Sequence, residues 1–313
     1  MSTPENKSKK RDKEMSFLEH LEELRWHIIR SVVSIFVLMI VAFAFRDIIF
    51  DNIIIAPQRP EFVTARWLCN LGSRLSEIFN YIDPNILCIN QNPANLINIT
   101  MAGQLTMSFV VSIVAGLILS FPVILWEFWR FFEPALKPNE KRYTKGTVLI
   151  SSLLFFLGVL FGYFALAPLS VHFLTTWSVS DSVVNQINLK SYIGVVNSIC
   201  LATGLIFELP IVAFFLTKIG VLTPEFMRQY RRHAVVVILI LAMIITPPDV
   251  FSQILVAIPL LILYEVSIFI SARIIKKREK ESAEFMSNDD TKINNDKSLE
   301  HNDKKSLTHE ATH

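Results

Sequence analysis

Apolar and polar residues are segregated along this chain in long blocks. After a charged opening stretch, apolar runs of membrane-spanning length fall at about 28–45, 105–128, 147–173, 192–216, 234–245 and 250–270, with polar connections between them. The pattern predicts an all-α polytopic membrane protein with six transmembrane helices. Pro122, Pro168, Pro210 and Pro259 fall inside the runs, so the helices are expected to be kinked. The last two runs are separated only by Thr246, Pro247, Pro248 and Asp249, and both are expected to be short. Twelve residues of helix, 234–245, cover about 18 Å against a hydrocarbon core of about 30 Å. Either a hairpin of short spans or a re-entrant pair fits that length, and six spans are favoured over four.

The first run is preceded by an amphipathic lead-in. Ser16 and Glu19 have capping-box spacing, and Phe17, Leu21, Leu24 and Ile28 recur on one helical face. Three glutamates, Glu19, Glu22 and Glu23, stand at this water–lipid boundary, and Arg30 is placed to snorkel back to the head groups. The connection 47–104 is long enough to carry structure of its own. Phe62, Leu68, Leu71, Leu75, Ile78 and Ile82 suggest a second amphipathic helix lying along the surface. The expected organisation is therefore a disordered basic tail at 1–14, a membrane domain at 15–275 with an external insert at 47–104, and a disordered polar tail at 276–313.

Charge orients these spans. Lys and Arg cluster in the N-terminal tail, after the second and fourth runs and in the C-terminal tail, while the first connection is nearly balanced. Both termini are therefore expected on the cytoplasmic side, and the first span, which has no cleavage signature, is expected to be retained. The net charge of +2 is too small to indicate a nucleic-acid surface, and the mean hydropathy of +0.43 makes membrane lipid the expected environment. Cys69 and Cys88 fall in the external insert, where either a disulfide or two isolated thiols is compatible with the spacing; Cys200, inside a span, reads as packing. Nucleophile-elbow, Walker A, zincin and dinucleotide patterns are absent. His20 and His27 are two helical turns apart, about 10.5 Å, too far to share a metal. No enzyme, metal or cofactor is expected.

Four segments in register with these spans carry a family likeness: FLEHLEELR (17–25), FWRFFEPALKPNEKR (128–142), GLIFELP (204–210) and TPPDVFSQILVAIPLLILYE (246–265). In this order they resemble the TatC family, the core subunit of the twin-arginine (Sec-independent) protein translocase. The likeness covers about 17–272. It implies a six-helix protein of the bacterial inner membrane that binds twin-arginine signal peptides of folded precursors. It also implies self-association, small single-span TatA/TatB-like partners, use of the proton-motive force and no cofactor. The external loop is longer than usual for the family, and its end, NITMAGQLTMS (98–108), lacks acidic residues.

Twin arginines need carboxylates, because each guanidinium fork is matched by two parallel hydrogen bonds from one carboxylate. The resemblance implies that Glu23 and Glu140 serve this role, with Glu19 adding negative potential one turn before Glu23 and Phe131 touching the signal peptide. Read without the family, Glu23 would pair with His27, and Glu140 with Lys141 or Arg142; Arg25 reads as a partner of Glu22. Glu208 is costly at mid-span and so faces either a groove where a signal peptide or partner helix docks, or an interhelical hydrogen bond. Met243, Thr246 and Gln253 match positions at which the family binds its partner helix. The competing class is a proton-coupled secondary transporter, which six kinked spans and a membrane glutamate would also suit; it predicts an internal repeat that is not visible here.

Overall fold

The computed structural model describes residues 17–78, 83–84, 87–132, 144–180, 182–183, 185–246, 253–277 and 279–280. Most of the two expected tails lies outside them. The described chain is helical apart from one minimal strand pair, and five of its helical segments are long and apolar enough to cross a membrane: Leu21–Ala44, Gly103–Phe131, Gly146–Thr176, Leu189–Lys218 and Gln253–Lys277. It is a polytopic helical membrane protein. Of the last two runs only the first is short: Arg231–Ile245 has 15 residues, about 22 Å of helix. The final helix, expected to be short as well, is 25 residues long. Helix formation continues through Arg273, Lys276 and Lys277, whose long side chains tolerate the lipid margin.

The chain divides into two compact units. In the first, 1–206 with 245–252, helix α1 (Phe17–Ala44) packs along α3 (Gly103–Phe132). Contacts pair His27 with Glu127, Ile35 and Met39 with Gly116, and Phe43 with Phe109, so rising numbers on one helix meet falling numbers on the other and the pair is antiparallel. The helices approach closely because Gly116 has no side chain: a Cβ there would lie 2.8 Å from the Met39 amide nitrogen and 3.0 Å from the Ile35 carbonyl oxygen. The remainder of α1 is exposed and apolar, as a lipid-facing surface requires; Val32, Phe36 and Ile40 are all more than half exposed.

Between α1 and α3, single helical, π and 3-10 turns (Arg46–Ile49, Phe50–Ile54, Ala56–Gln58) lead into α2 (Val63–Ile78), the expected amphipathic helix. A disulfide between Cys69 and Cys88 ties α2 to the following segment, and Gly72 sits there because a Cβ would meet the Pro84 carbonyl at 2.9 Å. Helix α4 (Thr144–Phe161) continues through a π turn (Gly162–Leu166) into α5 (Ala167–Thr176). A strand of two residues, β1 (Leu96–Ile97), pairs in parallel with β2 (Ile187–Asn188) just before α6 (Leu189–Phe207). The all-α expectation did not anticipate this ladder, which is too short to leave a periodic signature.

Two prolines organise this end of the unit. A proline lacks an N–H and frees the carbonyl four residues earlier. Pro57 frees that of Ile53, which accepts the Tyr163 hydroxyl at 2.8 Å; Pro168 frees that of Phe164, which accepts the Thr64 hydroxyl. Tyr192 donates to the neighbouring Ile54 carbonyl at 2.8 Å. Asn90, at φ 58°, donates its side-chain amide to the Pro57 carbonyl at 2.8 Å, while its own N–H donates to His172 Nδ1. Asparagine is one of the few side chains at ease in that left-handed region. Beneath this cap Met107, Val111, Ala167, Val171, Ile193 and Val196 form the core.

The second unit, 207–244 with the residues from 253 on, contains α7 (Leu209–Lys218), α8 (Pro224–Gln229), α9 (Arg231–Ile245, its last residue excepted) and α10 (Gln253–Lys277). Ala213, Met227 and Ile268 form its core with Leu222 and Tyr264. Polar contacts fasten α10: Thr217 to Ser271 at 2.9 Å, Tyr264 to the Met227 carbonyl at 2.7 Å, and Arg231 to Glu265 at 2.6 Å.

Two expectations follow. Gly116→Val lowers stability by about 1–3 kcal/mol, read as a lower unfolding midpoint in mixed detergent micelles, because the obstacle is backbone that cannot move aside. Tyr163→Phe costs about 1 kcal/mol, and the cost shrinks in a Pro57→Ala background, where the restored N–H can satisfy the Ile53 carbonyl.

Candidate functional site

The margin at which α1 begins and α3 ends brings buried charged groups together. His27 Nδ1 lies 2.5 Å from Glu127 Oε2, with both side chains about nine-tenths buried. Arg30 approaches the same oxygen at 3.7 Å, and the Phe131 ring stands edge-on to the His27 imidazole at 6.2 Å. The geometry follows from helical periodicity: Glu23 and His27 are i,i+4 on α1, Glu127 and Phe131 are i,i+4 on α3, and the helices are antiparallel. Glu23 and Phe131 therefore project one turn, about 5.4 Å, beyond the His27–Glu127 level on the same side. Glu23 is half-buried, and its Oε2 is buried with no hydrogen-bond partner among the described residues.

Several expectations change here. Glu23 does not pair with His27, because the imidazole is taken by Glu127 on α3. Arg30 does not simply snorkel: it turns its guanidinium to the same carboxylate. Arg25 does approach Glu22, at 3.6 Å, on the exposed face. Glu127 was not singled out from the sequence. The available signal was an acid inside the apolar run LWEFWRFF, which must find a partner, but nothing local identifies His27, 100 positions away, as that partner. Glu140 lies outside the described residues, as do the side chain of Glu19 and residues 247–252.

Glu208 is 9% exposed and stands where α6 ends and α7 begins. Its carbonyl accepts the N–H groups of Ile211 and Val212, each at 3.0 Å, and Pro210 opens the new helix where a missing N–H is harmless. Gly204, a turn earlier, has a packing reason: a Cβ would meet Phe155 and Val159 at 2.8 Å. Of the expected partner-helix residues, Met243 is exposed on α9, Gln253 donates to the Leu239 carbonyl at 3.4 Å, and Thr246 is buried and belongs to the first unit.

Apolar spans, an acid at a helix break in one of them and a charged margin on two antiparallel helices define a polytopic helical membrane protein. The profile of the Sec-independent protein translocase protein (TatC) matches residues 19–259. The chain belongs to the TatC family. It is 40% identical over 265 residues to a Sec-independent protein translocase protein TatC of Blattabacterium sp. subsp. Periplaneta americana, covering 85% of this chain and 98% of the relative. To the TatC of Aquifex aeolicus it is 34% identical, covering 85% and 98%. A crystal structure of the twin arginine translocase receptor TatC aligns with a TM-score of 0.56 at 33% identity, covering 81% of this chain and 98% of that one; a second, in DDM, gives 0.59 at 34%, covering 81% and 99%. These relatives are named as translocase components, a transport role, which does not favour the carrier reading.

A double-mutant cycle on His27→Ala and Glu127→Ala is expected to give a coupling of about 1–2 kcal/mol in unfolding free energy, because a charge-assisted contact in a buried setting is lost only once.

Proposed function

We propose that this chain is the subunit of a twin-arginine translocase that receives the signal peptides of folded precursors in the bacterial inner membrane. Both termini lie in the cytoplasm in this reading, and six spans cross the bilayer, with Arg231–Ile245 as the short one. Glu23 and Glu140 hold the paired guanidiniums, Glu19 adds to the negative potential, and Phe131 contacts the peptide.

The observation that carries the reading is the Glu23 carboxylate, with one oxygen buried and without a hydrogen-bond partner among the described residues. Such an oxygen is unfavourable until a donor arrives. A guanidinium fork is the donor that fits a carboxylate best, and it would arrive from the side of the membrane on which the chain's lysines and arginines cluster. Glu208 serves as a polar docking point for the signal peptide or a partner helix, and Met243, Thr246 and Gln253 receive the helix of a small TatA/TatB-like protein. Copies of the chain self-associate, and the proton-motive force drives export.

Glu23→Gln and Glu140→Gln are each expected to abolish photocrosslinking of a twin-arginine precursor to neighbouring probe positions and to stop export; normal crosslinking in both removes the assignment. Glu208→Ala is expected to insert stably but transport poorly. Loss of the folded protein instead would make Glu208 structural.

A further inference from the structure

Glu23 can match an arginine fork only if its carboxylate is held in place, yet its Oε2 has no hydrogen-bond partner among the described residues to hold it. What fixes α1 at this level is one turn away: His27 and Arg30 both reach Glu127, and Phe131 closes against the imidazole. We propose that the His27–Glu127 pair is a positioning latch. It locks the start of α1 to the end of α3, so that Glu23 and Phe131, each one turn beyond it, face the ligand as a preformed pair. The inference rests on the reading of Glu23 as a signal-peptide carboxylate. Glu127 and His27 touch no ligand in it; they act through the rotation and height of α1.

Two features favour a latch over an incidental pair. Glu127 is 8% and His27 6% exposed, so neither is placed to meet the peptide itself. The contact also lies nearer the start of α1 than the Gly116 and Phe109 contacts do. With the Arg30 contact to the same carboxylate, it is the polar tie that holds the first turns of α1, and Glu23 with them, against α3.

The test uses the purified full chain in lipid nanodiscs and two synthetic signal peptides that differ only in carrying Arg-Arg or Lys-Lys. Lysine is a point charge and tolerates a displaced carboxylate, whereas a bidentate fork does not. Glu127→Gln and Glu127→Leu are expected to weaken the Arg-Arg peptide about tenfold and to reduce the Arg-Arg over Lys-Lys preference. The exchange His27→Glu with Glu127→His is expected to restore both. Unchanged preference in a folded Glu127→Gln or Glu127→Leu protein overturns the latch, as does a folded exchange variant that restores nothing. Glu23→Gln separates the two levels. If it leaves Arg-Arg binding unchanged, the receptor reading fails. If it weakens binding while the Glu127 variants do not, only the latch fails.

Discussion

An apolar surrounding offers no water to a backbone group that loses its partner, and this constraint shapes the described chain more than any other. Pro57 and Pro168 each remove a donor from a helical turn. The two freed carbonyls, on Ile53 and Phe164, are met by Tyr163 and Thr64, which come from elsewhere in the sequence. The broken turns are thus what tie distant segments together. Tyr192 and Asn90 extend the same arrangement, and the disulfide Cys69–Cys88 fastens α2 onto it. A long insert between the first two spans is thereby organised by hydrogen bonds to main chain, with Met107, Val111, Ile193 and Val196 beneath it.

The same rule applied to charge organises the opposite margin. Glu127, His27 and Arg30 lie within or at the edge of apolar runs and satisfy one another across two helices that Gly116 allows to approach closely. A carboxylate facing a protonatable ring and a guanidinium is tolerable where a lone one would not be. That leaves Glu23, one turn further out, with a buried oxygen still open to a donor. In the proposed function this carboxylate is the one that meets a cationic side chain. It falls on the LEELR segment of this TatC-family chain.

Much of this was legible in the residues. The apolar blocks located the spans, the amphipathic spacing located α2, and four motifs in register pointed to the family to which the chain belongs. The Glu22–Arg25 contact followed from i,i+3 spacing alone. The parallel pair β1–β2 was not legible, since two residues per strand carry no period. The packing reason for Gly204 was not legible either, because the Phe155 and Val159 side chains that require it lie on another helix.

What the sequence determined by itself is whatever depends on near neighbours: hydropathy over twenty residues, helical periodicity, the missing N–H of each proline, and the cost of an acid in an apolar run. Which distant group meets each of those needs was decided only by the tertiary structure. The register of α1 against α3 selects Glu127 for His27, and the return of α4 past the insert selects Tyr163 for Ile53. A sequence states that a buried carboxylate or a freed carbonyl must have a partner; only the packing of helices far apart in the chain says which one, because hydrogen bonds are satisfied by proximity in space.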